Sequence, residues 1–293
     1  LTTTDLLLQF VFSGLMVGSI YALIALGFTI VYTATEAINF AQGEFVMLGG
    51  MTAVALFGTG MPLLAAFAGS VLIVTLVGLL LERLTLAPLK NVSLTNLIII
   101  TIGGSIFLKG SAMLLWGKDA AGLPSFSGDT PIRVLGASFL PQALWIIGTA
   151  MVVVVLVRTF FARTTTGQAM RAVAANRFAA TLVGINVKAM TAYSFALAAA
   201  VGAVAGIIIT PVALTQFDRG TMLGLKGFSA AVLGGMGSSP GAVVGGLLLG
   251  VLESLGGGFI SSAYKDAIAF ILLIIVLLVR PQGILGAPAR RRA

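Results

Sequence analysis

The polar side chains most at odds with their surroundings are Asn39, Gln42 and Glu44, which stand between Glu36 and Phe45 at the mouth of an otherwise apolar run. Two amides and a carboxylate at this spacing can trade hydrogen bonds with a polar solute or with water, which is binding chemistry rather than bond-breaking chemistry. An ionised carboxylate at the centre of a membrane helix costs about 2.5–3.5 kcal/mol on the insertion scale, so Glu44 needs a partner, a wet cavity or a helix terminus. Two roles stay open for it: lining a solute pathway with Asn39 and Gln42, or stabilising the positive N-terminus of a helix near the membrane interface.

A second group lies in the segment 158–190, where Arg158, Arg163, Arg171, Arg177 and Lys188 occur without a single acid. Between Gly167 and Gly184 the pattern predicts a short alanine-rich helix, with Met170, Val173 and Ala174 at i, i+3, i+4 spacing and Arg171 and Arg177 on other faces. A small-faced helix with basic flanks suits docking into a groove on a partner protein. The competing reading is a helix lying on lipid headgroups with its arginines snorkelling.

The chain contains no cysteine and no histidine. Thiolate and imidazole metal sites, cysteine nucleophiles and histidine bases are therefore ruled out by composition. The nine acids are scattered rather than clustered, so no catalytic or metal site is expected. No Gly-x-x-x-x-Gly-Lys-Ser/Thr loop is present; Gly117-Lys118-Asp119 is the nearest fragment and lacks the hydroxyl that would bind magnesium. Any ATP-driven role thus needs a separate ATPase subunit, with no cofactor expected in this chain.

The elements that must position these residues are membrane helices. Apolar residues make up 58% of the 293 and charged ones only 9%, with a mean hydropathy of +1.11, against roughly 25% charged in a soluble domain. The net charge of +8 comes from basic residues between apolar runs, not from a polar segment interleaved with aromatics, so it fits an anionic membrane face and not nucleic acid. About 20 apolar residues cross the roughly 30 Å of hydrocarbon, and such runs fall at 6–31, 38–58, 62–81, 94–115, 142–157, 191–214 and 263–279. The chain opens on Leu1, so the numbering is expected to omit an initiator; the first run is too long for a signal core and reads as a span.

One further stretch, 222–252, is interrupted from Gly234 to Gly241 and is too long for one crossing. It reads as two short helices meeting inside the protein, which makes Gly234, Gly235 and Gly237 candidate pathway residues beside Asn39, Gln42 and Glu44. Loop charges place 158–190 and the tail with Arg280, Arg290, Arg291 and Arg292 in the cytoplasm, and the N-terminus outside. Parity then requires 222–252 to return to the side it left. Leu48-Gly49-Gly50-Met51 recurs as Leu233-Gly234-Gly235-Met236 in the opposite sense, which reads as an inverted repeat or as chance among glycine-rich helices. Lys109 and Lys226 are expected to snorkel at helix ends, and the pairs Gly14/Gly18, Gly202/Gly206, Gly241/Gly245 and Gly246/Gly250 to allow close helix packing. The fold class is an all-α polytopic bundle of about eight or nine spans, a single permease domain over 1–293.

The stretch from Glu36 through Asn39, Gln42 and Glu44 to Gly49 resembles the first signature of the high-affinity branched-chain amino acid ABC permeases. Gly167, Met170, Arg171, Asn176, Ala179, Ala180, Gly184 and Asn186 match their cytoplasmic coupling loop, Lys226 to Ala242 their third signature, and Arg280 to Gly286 their usual end. The resemblance implies ATPase coupling by Gly167, Met170, Arg171, Ala174, Asn176, Ala179, Ala180 and Gly184. It also implies a bacterial inner-membrane complex with a second related permease subunit, two ATPases that bind ATP and magnesium, and a periplasmic solute-binding protein. The first permease subunit is the better match. Family members also serve urea, amides and aromatic acids. The alternative to an ABC importer subunit is a stand-alone secondary transporter or channel.

Overall fold

The computed structural model describes residues 3–88, 93–134 and 137–286; Arg290, Arg291 and Arg292 lie outside the described residues. The long apolar runs become α1 (Thr3–Thr35), α3 (Leu63–Leu81, extended by a π-helical turn to Leu86), α4 (Leu94–Trp116), α5 (Pro141–Arg163), α8 (Val187–Ala213), α10 (Ser239–Phe259) and α11 (Lys265–Val279). With their flanking turns these are the seven helices, among the described residues, long and apolar enough to cross a membrane. Two shorter helices, α2 (Gln42–Gly58) and α9 (Arg219–Gly234), complete the bundle; α6 (Thr165–Ala175) and α7 (Arg177–Leu182) lie at one end, and a hairpin of β1 (Ile132–Val134) and β2 (Ala137–Phe139) at the other. The protein is a multi-pass membrane protein.

Burial sorts the helices by role. The most apolar window of α1 is 83% buried and that of α8 is 61%, while those of α3, α4, α5 and α11 are 22% or less. The outer helices turn side chains such as Leu64, Leu114 and Leu278 outward, as lipid-facing surfaces do. Glycines set the central contacts. Gly14 and Gly18 of α1 press on the backbone of α10 at Val251 and Leu247, and no room for a Cβ remains there.

The same contacts give the helix directions. Along α1, Gly14 faces Val251 and the Tyr32 ring stands by Gly237, so α1 and α10 are antiparallel. The start of α1 is at the hairpin end, where Gln9 exchanges two hydrogen bonds with the Ser138 backbone at 2.6 and 2.7 Å. Its end shares a cavity with Arg177 and Lys188 at the opposite, basic end. Along α2, Gly49 and Gly50 meet Ala203 and Thr210 while Gln42 reaches Ala198; α2 therefore runs parallel to α8, towards the hairpin end. Along α9, Lys226 stands over the Tyr21 ring and Phe228 against Phe28, so α9 runs with α1 towards the basic end.

These directions relocate the interruptions. The glycine-rich turn between α9 and α10 does not lie inside the bundle: it is at the basic end, where the Leu233 and Gly234 carbonyls accept from the Ile284 and Leu285 amides at 2.9 Å. There Gly235 and Gly237 take φ of 106° and 86°, the left-handed turn geometry that glycine supplies cheaply. Residues 222–252 do form two antiparallel helices and not one crossing, but α10 is a full span of 21 residues. The true internal breaks are at 36–41 and 214–218. Each follows a long buried helix, and the short helix after each begins inside the protein and runs back against its predecessor. Two such units of opposed sense form the inverted arrangement, with α1 and α2 in one and α8 and α9 in the other.

Candidate functional site

Asn39, Gln42 and Glu44 come together at the first break. Glu36, at φ 57°, ends α1 with its amide on the Tyr32 carbonyl at 2.8 Å. Thr35 Oγ1 then accepts from the Ala37 amide, and Asn39 Oδ1 from the Ala41 amide, both at 3.1 Å. Polar side chains thus supply the partners that the unwound backbone needs away from water. Gln42 donates from Nε2 to the Ala198 carbonyl of α8 at 3.0 Å. Glu44 Oε1 accepts from Ser105 Oγ of α4 and from Thr221 Oγ1 of α9, each at 3.0 Å.

All three side chains are buried, and each leaves one polar atom without a partner among the described residues: Asn39 Nδ2, Gln42 Oε1 and Glu44 Oε2. An unmatched buried polar atom costs about 1–3 kcal/mol. Three within six residues mark a place where water or a solute group would complete the bonding. Glu44 also lies in the first turn of α2 while Gly220, from the first turn of α9, abuts it. The carboxylate is therefore held between two helix N-termini, which favour negative charge, but in the interior rather than at the interface.

Two cavities flank this stretch. The one at the basic end is about 330 Å³ and is lined by Thr35, Asn39, Glu82, Thr101, Arg177 and Lys188, among others. The other, towards the hairpin end, is about 270 Å³ and includes Tyr21, Val46, Thr210, Thr215, Lys226 and Glu253. Asn39 borders the first and Val46 and Met47 the second, so residues 40–45 separate them. A buried partition that carries Gln42 and Glu44, with a cavity on either side, fits the solute site that transporters build at interrupted helices.

Sequence reasoning missed the charges in the second cavity. Lys226 does not snorkel: it is 6% exposed, with Nζ 2.8 Å from Glu253 Oε1 and 2.5 Å from Asp266 Oδ1. Tyr21 donates its hydroxyl to the same Glu253 oxygen at 3.1 Å, and Lys265 Nζ stands 3.7 Å away. Lys109 is half-buried, its ammonium 5.9 Å from the centre of the Phe217 ring. An acid amid the apolar residues of 239–259 was the available signal for Glu253; its partner, 27 residues away, had none.

Elsewhere the structure redistributes the candidates. Gly234, Gly235 and Gly237 sit at the α9–α10 turn against Gly241, Gly286 and Tyr32. They are not among the residues that line these two cavities. The predicted helix 167–184 is two helices, broken where Asn176 turns extended (φ −162°) and caps α7 by accepting from the Ala179 amide at 2.9 Å. Gly167, Met170, Val173 and Ala180 face inward and are buried in this chain's own core, so they hold α6 and α7 in place rather than offering a contact. Arg171, Asn176, Ala179 and Gly184 are exposed, and Ala174 is half-buried. The outer face of α7 carries Phe178 and Leu182, with Val183 just beyond, 72–76% exposed; their apolar i, i+4 spacing was the sequence signal for this patch.

The matches to known proteins follow the same lines. The sequence pattern of the family described as "Branched-chain amino acid transport system / permease component" matches residues 10–277. The chain is 40% identical over 303 aligned residues to the high-affinity branched-chain amino acid transport system permease protein LivH of Escherichia coli, covering 96% of each chain. It is 38% identical to the corresponding protein BraD of Pseudomonas aeruginosa, again over 96% of each. A chain in the solved structure of PsaBC from Streptococcus pneumoniae in complex with Fab superposes with a TM-score of 0.50 over 92% of this chain and 91% of that one. At 12% identity that is a likeness of fold alone. Near-full-length identity of this order, on a bundle with two inverted re-entrant breaks, shows that the chain belongs to the branched-chain amino acid transport permease family.

Proposed function

We propose that this chain is the membrane-spanning subunit of an ATP-driven importer and forms the pathway for branched-chain amino acids or related small polar solutes such as urea, amides and aromatic acids. In this reading the solute passes between the two cavities by way of Asn39, Gln42 and Glu44. The basic end faces the cytoplasm of a bacterial inner membrane, with the C-terminus inside and the N-terminus in the periplasm. Two ATPase subunits, which hold ATP and magnesium, dock at α6 and α7. A second related permease subunit completes the pathway, and a periplasmic binding protein delivers solute at the hairpin end.

The observation that carries the coupling role is the exposed face of α7. Phe178, Leu182 and Val183 are 72–76% exposed and are flanked by exposed Arg171 and Arg177. Aromatic and aliphatic anchors beside arginine are the residues that dominate protein interfaces. Replacing Phe178 and Leu182 together by aspartate should leave the chain in the membrane, since neither side chain packs into the core. The ATPase subunits should no longer co-purify, and solute-stimulated ATP hydrolysis should fall about tenfold or more, as for loss of interface hot spots. Full co-purification and hydrolysis would sink the docking role. A stand-alone secondary transporter is the second reading, because the buried Lys226–Glu253 pair is the kind of intramembrane charge such proteins use. Solute accumulation by this chain without any ATPase would establish it.

A further inference from the structure

The charged cluster in the cavity towards the hairpin end does more than tie helices together. Its members come from four of them: Tyr21 from α1, Lys226 from α9, Glu253 from α10 and Asp266 from α11. A purely structural contact of this kind gains little, since apolar side chains of similar size commonly replace buried ion pairs without loss. Here the cluster borders open space of about 270 Å³, close to the lower end of small-ligand pockets, roughly 300 Å³.

Its bonding is also incomplete in a specific way. Glu253 is fully buried, and Oε1 carries all the contacts, from Tyr21, Lys226 and Lys265. Oε2 has no partner among the described residues. Lys226 and Lys265 are committed to the acids, whereas Arg219, at the start of α9 and lining the same cavity, makes no ion pair among the described residues. The buried orphan oxygen of Glu253 and the exposed guanidinium of Arg219, unpaired among the described residues, belong to residues that line one small cavity, a combination that suits a ligand with an ammonium and a carboxylate. The remaining wall includes Val17, Val46, Ile209 and Leu223, which suits an aliphatic side chain.

We propose that this cavity is a head-group subsite for a zwitterionic, aliphatic α-amino acid, with Glu253 receiving the ammonium and Arg219 the carboxylate. The inference rests on the importer reading and gives it a specificity step inside the permease, beyond the binding protein. Solute leaving the binding protein would rest here before the partition at residues 40–45.

The chain has no cysteine, so Met222→Cys places a single thiol at a cavity position that is 41% exposed. In the assembled transporter, the rate of labelling by a small thiol reagent is measured with leucine, with 4-methylpentanoate, which lacks the ammonium, and with neither. Leucine uptake by the unsubstituted complex is measured in parallel. The expected result is that leucine slows labelling and 4-methylpentanoate does not. Adding Glu253→Gln should raise the leucine concentration for half-protection about tenfold or more, the loss expected for one hydrogen bond to a charged group. Where Glu253→Gln fails to assemble, the contrast between the two solutes decides alone. Leucine uptake without leucine protection, or equal protection by both solutes, overturns the subsite and leaves the importer intact. Protection by leucine in a complex that imports no leucine would instead overturn the importer reading while the subsite stands. Neither uptake nor protection removes both.

Discussion

At the scale of single residues, the strongest claim concerns charge held away from water. Glu253 is fully buried beside Lys226, and removing Lys226 leaves this carboxylate only the Tyr21 hydroxyl and the more distant Lys265. Lys226→Met should therefore cost about 3–5 kcal/mol, and the double variant Lys226→Met, Glu253→Met should recover much of it. Thermal unfolding of the detergent-purified protein measures these and the single variant Glu253→Met; a loss in the double variant equal to the sum of the two single losses would show that the pair is not coupled. Parts of this were legible in the sequence and parts were not. Glu44 announces itself because a carboxylate inside an apolar run must find a partner, and it finds Ser105 and Thr221. Lys226 misled, since a long cation near a helix end ordinarily reaches for water. The return of α10 along α9 was legible, but the register that sets Lys226 against Glu253 is not encoded in any local pattern.

Among the elements, the spans follow from run length alone, but the breaks do not follow from glycine. The run Gly234 to Gly241 is the loudest break signal in the chain, and it marks a turn at the end of the bundle. The interior breaks at 36–41 and 214–218 contain neither glycine nor proline. They are made by local bonds from Thr35 and Asn39 and by tertiary contacts such as the Ala121–Thr215 backbone pair at 2.8 and 2.9 Å. In α6 and α7 the helical period correctly gathered Met170 and Val173 on one face, yet that face is the buried one, because period alone does not say which neighbour it meets. The orientation of these elements has a direct check. Single cysteines at Thr165, which opens α6, and at Asn186, which caps α8, should react with an impermeant thiol reagent only after the membrane is breached. Labelling of intact cells would invert the topology.

For the whole molecule, two inverted units place a cavity on either side of the partition at residues 40–45 and leave an exposed apolar face on α7 at the basic end. In the proposed reading the two cavities beside residues 40–45 form a pathway whose energy a partner supplies, since the sequence holds no phosphate-binding loop. Composition already pointed that way; the partition itself required the fold, since residues 40–45 border different cavities only once α2 starts inside the protein. The account therefore stands on uptake into proteoliposomes that contain this chain, its partner permease and the ATPase subunits, with leucine-loaded binding protein outside and ATP inside. The prediction is accumulation of leucine against its gradient that requires both ATP and the binding protein. Accumulation that persists without ATP, or that needs only this chain, would contradict it.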